Sequence, residues 1–187
     1  MKKFFSLILT AVFIFTAVNI CSAKSAIEQR TEINNLHDQA LQRLYAKYPS
    51  ARRVINNCYA YATLSNTGMK LGLFGSAHGR GVAINNYTGE KVYLKMQEQE
   101  LGIGFGAKEY DLIFLIDTKA AWDSFIIGKI RFGAGADASA NDGVNGGSVE
   151  GAEYVADGVW LYQMTKKGLS LEATLKGTKI YADKELN

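Results

Sequence analysis

From Ser25 to Tyr48 the apolar positions Ile33, Leu36, Ala40, Leu41, Leu44 and Tyr48 recur every three or four residues, the spacing of one face of an α-helix. Pro49 ends that pattern, because its ring blocks the preceding turn and it has no N–H to donate. Ser50 then stands where it can cap a short second helix running through Arg53 to Asn57. Beyond it the period changes to two or to short unbroken apolar runs. Tyr59 to Leu64, Gly81 to Asn85, Lys91 to Met96, Leu101 to Ala107, Tyr110 to Ile116, Ile130 to Ala136, Val159 to Thr165 and Leu169 to Leu175 read as strands. One helix interrupts them: Asp117 or Thr118 can cap Lys119 to Ile127, with Ala121, Trp122, Phe125 and Ile126 facing inward.

Asn86-Tyr87-Thr88-Gly89 and Lys166-Lys167-Gly168 read as tight connections, which join antiparallel neighbours, whereas parallel pairing needs long crossovers. All 19 glycines lie after residue 67 and the single proline before it. Glycine inside strands marks bulges and sharp bends. The expected fold is therefore α+β: N-terminal helices packed on a strongly bent, mainly antiparallel, glycine-rich sheet or partial barrel, with one inserted helix.

Met1 to Ala23 has the three parts of a secretory signal peptide. Lys2 and Lys3 form its positive start, Phe4 to Ile20 its apolar middle, and Cys21-Ser22-Ala23 the small residues that place cleavage after Ala23. The apolar run is about the minimum for a spanning helix, so an uncleaved anchor is one alternative. A lipidated Cys21 is another, although the bulky Ile20 precedes it. The expected organisation is a leader over residues 1–23 and a single domain over 24–187, exported to the periplasm or envelope. Only Cys58 then remains, and a lone thiol in an oxidising compartment reads as buried rather than reactive.

Composition adds limits. At 187 residues, 48% hydrophobic and 21% charged, the chain is an ordinary globular one and not a disordered one. Two cysteines and two histidines exclude a disulfide scaffold and leave little material for a metal site. The formal charge of +3 falls to +1 without Lys2 and Lys3, which argues against a general nucleic-acid binder. That small total hides two poles. Between Gln39 and Gly89 there is no acid, while Arg43, Lys47, Arg52, Arg53, Lys70 and Arg80 carry six positive charges. Between Gly133 and Gln163 there is no base, while Asp137, Asp142, Glu150, Glu153 and Asp157 carry five negative ones. Cations beside an amphipathic helix suit lipid phosphates, and a solvated helix face pairing with the acidic stretch is the competing explanation.

Motifs for catalysis are incomplete. In Gly102-Ile103-Gly104-Phe105-Gly106 the glycines alternate within a strand-like run and another strand follows, where a dinucleotide loop needs a helix. The Gly75 to Gly81 segment lacks the Lys-Ser/Thr pair of a phosphate loop and the glycine spacing of a nucleophile elbow, although it holds Ser76 and His78. Asp137 to Gly143 begins like a calcium loop, but Asp142 and Ser148 stand where glycine and a bidentate glutamate are needed. His37, in the first helix's apolar stripe, reads as a packed histidine with one nitrogen satisfied. No cofactor, metal or catalytic residue is expected.

From about Ser50 onward the sequence resembles the SYLF-domain family, lipid-binding domains of eukaryotic membrane-and-actin regulators and exported bacterial proteins. The resemblance rests on Arg53 to Leu64, on Gly72-Leu-Phe-Gly75-Ser-Ala-His-Gly79-Arg-Gly81-Val82, on Phe132-Gly-Ala-Gly135-Ala-Asp137-Ala-Ser139, and on Tyr162 to Leu169 with Leu175-Lys176-Gly177 and the final Asn187. Ser65, Val92-Tyr93 and Glu172-Ala173 stand where the family pattern has proline, tryptophan and glycine. The resemblance implies a non-enzymatic domain that binds phospholipid, in eukaryotes often phosphoinositides, through a basic amphipathic N-terminal helix. Arg43, Lys47, Arg52 and Arg53 are the expected headgroup contacts, with Lys70 and Arg80 secondary. Two other readings stand beside it: an envelope protein-interaction module using the acidic Gly133 to Asp157 stretch, and a hydrolase built on Ser76 and His78.

Overall fold

The computed structural model describes residues 24–132, 149–167 and 178–187, leaving aside the side chains of 69–75, 99–108 and 167. Helix α1 (Ala26–Lys47) opens on a capping box: Ser25 Oγ accepts the Glu28 N–H, and the Glu28 carboxylate accepts the Ser25 N–H at 2.8 Å. Its buried residues Ile33, His37, Ala40 and Leu44 lie along the predicted stripe. After Pro49 comes α2 (Ala51–Asn57). Ser50 departs from its expected role: it makes no capping bond, because its hydroxyl donates instead to Glu150 at 2.9 Å.

Two strands of 26 residues, β1 (Ala60–Asn85) and β2 (Lys91–Ile116), pair antiparallel along their length. The segments expected as two and three separate strands are thus continuous, since the polar and glycine-rich stretches between them keep pairing through the backbone. The predicted turn joins them. Asn85 Oδ1 accepts the N–H groups of Tyr87 and Thr88, and Gly89 takes φ +72°. A flat hairpin of this length would extend roughly 85 Å. It curls instead, with a bulge between Gly72 and Phe74. Both ends of β1 consequently share one core: Ala60, Ala62 and Leu64 cluster with Ala77 and Ala83. The strand crosses itself so closely that a Cβ at Gly81 would fall on the Thr63 carbonyl oxygen and within 2.9 Å of Leu64 Cα.

Helix α3 (Lys119–Ile126), capped by Thr118, one of the two expected candidates, plugs the concave side with Ala121, Trp122 and Phe125. Two short strands escaped the sequence pattern, β3 (Glu153–Ala156) and β5 (Lys179–Ala182). With β4 (Val159–Lys167) they extend the sheet in the order β1-β2-β4-β3, and β5 pairs with the other end of β2. The fold is α+β, with an antiparallel, curled half-barrel sheet. Ile130 to Ala136 was expected as a strand; its described residues 130–132 are turn and irregular backbone, whose Ile130 and Phe132 reach the core from outside the sheet. The leader, the Asp137 to Gly143 loop, the Leu169 to Leu175 segment, and most of the Phe132 to Ser139 motif lie outside the described residues.

Register places the rest. Tyr110, Leu112, Phe114 and Ile116 point to the concave core, while Ile113, Leu115, Tyr162 and Met164 point to the convex face beneath α1 and α2. Residues 110–116 are therefore buried on both sides. On that convex face of β1, alternation puts Tyr61, Thr63 and Ser65 under α1. The C-terminus closes the far end: Asn187 uses its carboxamide to accept the Tyr93 N–H and donate to the Tyr93 carbonyl, like an added strand residue.

Candidate functional site

Tyr48, Pro49 and Ser50 turn the chain from α1 into α2, and the corner gathers cations. Lys47 Nζ stands 5.1 Å from the centre of the Tyr48 ring, and the Arg52 guanidinium lies 4.3 Å from that of Tyr45. Such cation–π contacts are worth ~0.5–1 kcal/mol at exposed sites and fix where the charge is presented. Arg53, the next residue, is exposed. Among the described residues none of the three lies within ion-pair distance of a carboxylate. The acidic pole does reach this corner, through the Ser50–Glu150 hydrogen bond.

Arg43 departs from the expectation of an exposed headgroup contact. Its Nε and Nη2 donate to Asp111 Oδ2 at 2.9 and 2.6 Å. Ser65 Oγ donates to Asp111 Oδ1 at 2.6 Å, and the Lys166 ammonium reaches the same oxygen at 2.9 Å. Asp111 is fully buried, so this network bolts α1 to β1, β2 and β4, and Arg43 is committed to it. Sequence reasoning missed Asp111, Ser65 and Lys166. The available signal was a single carboxylate inside the otherwise apolar run Tyr110 to Ile116, which has to find a partner once buried.

The remaining candidates are dispersed. Arg80 donates to Gln29 at 2.8 Å, near the start of α1. Gln29 and Lys47 are 18 residues apart on one helix, about 27 Å at 1.5 Å per residue, so Arg80 is not part of the corner. Lys70 sits in β1 opposite Gly106, where side chains lie outside the described set. The apolar stripe of α1 is spent on the sheet: Ile33 packs on Val82 and Leu186, and Leu44 on Ile55 and Tyr162. No described helix is long and apolar enough to cross a membrane.

The rival chemistries gain no geometry. Ser76 and His78 project from one exposed side of β1, and no hydrogen bond joins them among the described residues. A cleft of about 740 Å³ lies beside His78. Its Lys95 is paired with Asp183 and Glu185, and its Lys166 with Asp111. No group of three metal-binding side chains occurs among the described residues. Cys58 is buried, donates to the Ile55 and Ala60 carbonyls, and has its thiol pushed up to about 11 by burial, which makes it inert at neutral pH.

His37 is the packed histidine the stripe predicted. Nδ1 lies 2.8 Å from Thr63 Oγ1, and the ring stacks on Tyr61 at 5.7 Å. Burial lowers its pKa below the usual 6.5, against an opposing pull from Asp38. The folded state thus resists protonation that the unfolded chain accepts, so stability is full above about 6.5 and falls as pH drops through and below that value. The melting temperature should fall between about pH 7 and pH 5, and His37→Gln should flatten that slope. An unchanged slope in the variant would assign the acid sensitivity elsewhere.

With this geometry in view, comparison with known proteins points to one family. Residues 97–187 match the model of the Ysc84 family, described as Las17-binding protein actin regulators. Over 166 residues, 87% of this chain, the sequence is 37% identical to beta cell expansion factor A of Aeromonas veronii. The chain's C-terminal half matches the SYLF family. The chain spans 60% of the length of that Aeromonas relative. SYLF domains are binding domains, linked to lipid and actin-related binding, and not a known enzyme family. The matched segment starts in β2 and carries Asp111 and Lys166, whereas Lys47, Arg52 and Arg53 precede it.

Proposed function

We propose that this SYLF-like domain binds anionic phospholipid at a membrane surface, through the α1–α2 corner presenting Lys47, Arg52 and Arg53. One observation carries the reading: three adjacent exposed cations, two held against tyrosine rings, have no described carboxylate partner. Lys70 and Arg80 are secondary positions along β1. Because the apolar stripe of α1 packs inward, the contact is electrostatic and peripheral. At about 1 kcal/mol per cation, three give about 3 kcal/mol, roughly a hundredfold enrichment. The affinity of one domain is modest.

The same reading places the chain outside the cytoplasm, in the periplasm or envelope, with Met1 to Ala23 removed as a leader. Vesicle co-sedimentation tests the lipid step. Phosphatidylglycerol vesicles should retain the protein and phosphatidylcholine vesicles should not. Retention should decline as salt shortens the Debye length below about 8 Å. Equal binding to both vesicles, or indifference to salt, would remove the electrostatic basis.

A second reading, a protein-interaction module of the envelope, draws on the matched family's description as Las17-binding actin regulators. Here Glu150, Glu153 and Asp157 present exposed acidic side chains beside the corner and β3. A protein that ignores anionic vesicles altogether would favour it.

A further inference from the structure

We propose that the cleft between residues 128–132 and Thr178–Lys179 is a second, separate site, which binds a phosphate group. The cleft is about 650 Å³, within the ~300–1,000 Å³ range of small-molecule sites. Lys129, Arg131 and Lys179 line it, and no carboxylate does among its described lining residues. None of these three cations has an ion-pair partner among the described residues, whereas Lys24, Arg43, Lys95, Lys119 and Lys166 are all paired. At the cleft wall the Thr178 hydroxyl belongs to a residue only 8% exposed, yet has no hydrogen-bond partner among the described residues. A hydroxyl removed from water needs a partner, and one of the four acceptor positions of a phosphate would supply it.

The backbone explains why the charges converge. Gly128, at φ +72°, reverses the chain after α3. A Cβ there would come within 2.9 Å of the Ile180 carbonyl oxygen, so the turn lies flat on β5. Ile130 and Phe132 then anchor the segment to the concave core, while Lys129 and Arg131 remain exposed beside Lys179. Asp157 lines an adjoining hollow together with Lys129 and Arg131 and accepts from the Tyr154 hydroxyl at 3.3 Å; it forms no ion pair with either cation. The cleft rests on the concave core and shares no residue with the α1–α2 corner, so it does not depend on the corner's role.

Three charge-assisted donors around one pocket suit a phosphomonoester, whether on a soluble metabolite or on a lipid headgroup. Two arms separate the sources. In solution, inorganic phosphate and glycerol 3-phosphate are titrated at constant ionic strength against chloride, with the melting temperature as readout. On membranes, vesicles containing phosphatidic acid are compared with vesicles carrying equal charge as phosphatidylglycerol. The variant Lys129→Ala/Arg131→Ala/Lys179→Ala changes only exposed side chains with no ion pair among the described residues and should fold normally. It should bind phosphate, or phosphatidic acid over phosphatidylglycerol, at least tenfold more weakly than the wild type. Thr178→Val should weaken the same response, and Thr178→Ser should restore it. Lys47→Glu/Arg52→Glu/Arg53→Glu should leave the phosphate response intact, so failure of this site and failure of the corner are distinguishable. A response in solution assigns a soluble ligand, and a response confined to phosphatidic acid assigns the headgroup. Phosphate indistinguishable from chloride in both arms, or a triple alanine variant responding like the wild type, would overturn the proposal.

Discussion

Asp111→Ala should destabilise the domain by about 3–5 kcal/mol, the range for breaking a buried ion pair by removing one partner. The carboxylate is fully buried and receives Arg43, Lys166 and Ser65 together. Its loss leaves two cations facing each other across the junction of α1 with the sheet. Arg43→Ala should cost less, because Lys166 and Ser65 still satisfy the carboxylate. Domain stability is commonly only ~5–15 kcal/mol, so the aspartate variant should be partly unfolded at 37 °C while the arginine variant folds. Urea unfolding followed by circular dichroism checks the order. A stability loss below about 1 kcal/mol for Asp111→Ala would show that the network is not what holds α1 in place. The same geometry sets a condition on any charge-reversal experiment: Arg43→Glu would place a second carboxylate against a buried one and confound folding with binding.

Gly81→Ala should be nearly as damaging despite adding a single methyl group. The added carbon would overlap the Thr63 carbonyl oxygen and lie 2.8 Å from Leu64 Cγ, within the self-crossing of β1. Two backbones meet there, so no side-chain rotation relieves the clash, and either the crossing opens or the β1–β2 pairing shifts. Overpacking of this kind costs ~1–3 kcal/mol and more where backbone must move. The upper end is expected, with loss of the shared core between Leu64 and Ala83. Gly89→Ala is the internal comparison: nothing lies within 4 Å of the added carbon, and only its φ of +72° opposes it. Similar losses at both positions would mean that backbone conformation, not close approach, explains the glycines.

Helices α1 and α3 were legible because each carries two independent signals. The apolar spacing and Pro49 bound α1, whose observed limits fall within one residue of the expected 25–48. Thr118 and the inward run Ala121, Trp122, Phe125 define α3 in the same way. The bent sheet was legible from glycine placement. The continuity of β1 and β2 was not, since hydrophobic patterning reports which stretches face a core and is silent where a paired strand leaves it. The four-residue strands β3 and β5 are too short for a period. For the site, the positive block from Arg43 to Arg80 was visible, but block counting treats every cation alike. Only register reveals that Ser65, Asp111 and Lys166 converge under Arg43, and that Arg80 is a helix length away. The cleft cations Lys129 and Arg131 lie far from Lys179 in sequence and are joined to it by no motif, so proximity in space is what brings them together.

The corner's role in membrane binding is tested most directly by sedimenting Lys47→Glu/Arg52→Glu/Arg53→Glu with phosphatidylglycerol vesicles, Arg43 left in place. All three positions are exposed and outside the Asp111 network, so the variant should melt within a few degrees of the wild type. The account predicts that this folded variant stays in the supernatant under low-salt conditions that pellet the wild type. A folded variant that pellets at the wild-type level would contradict it.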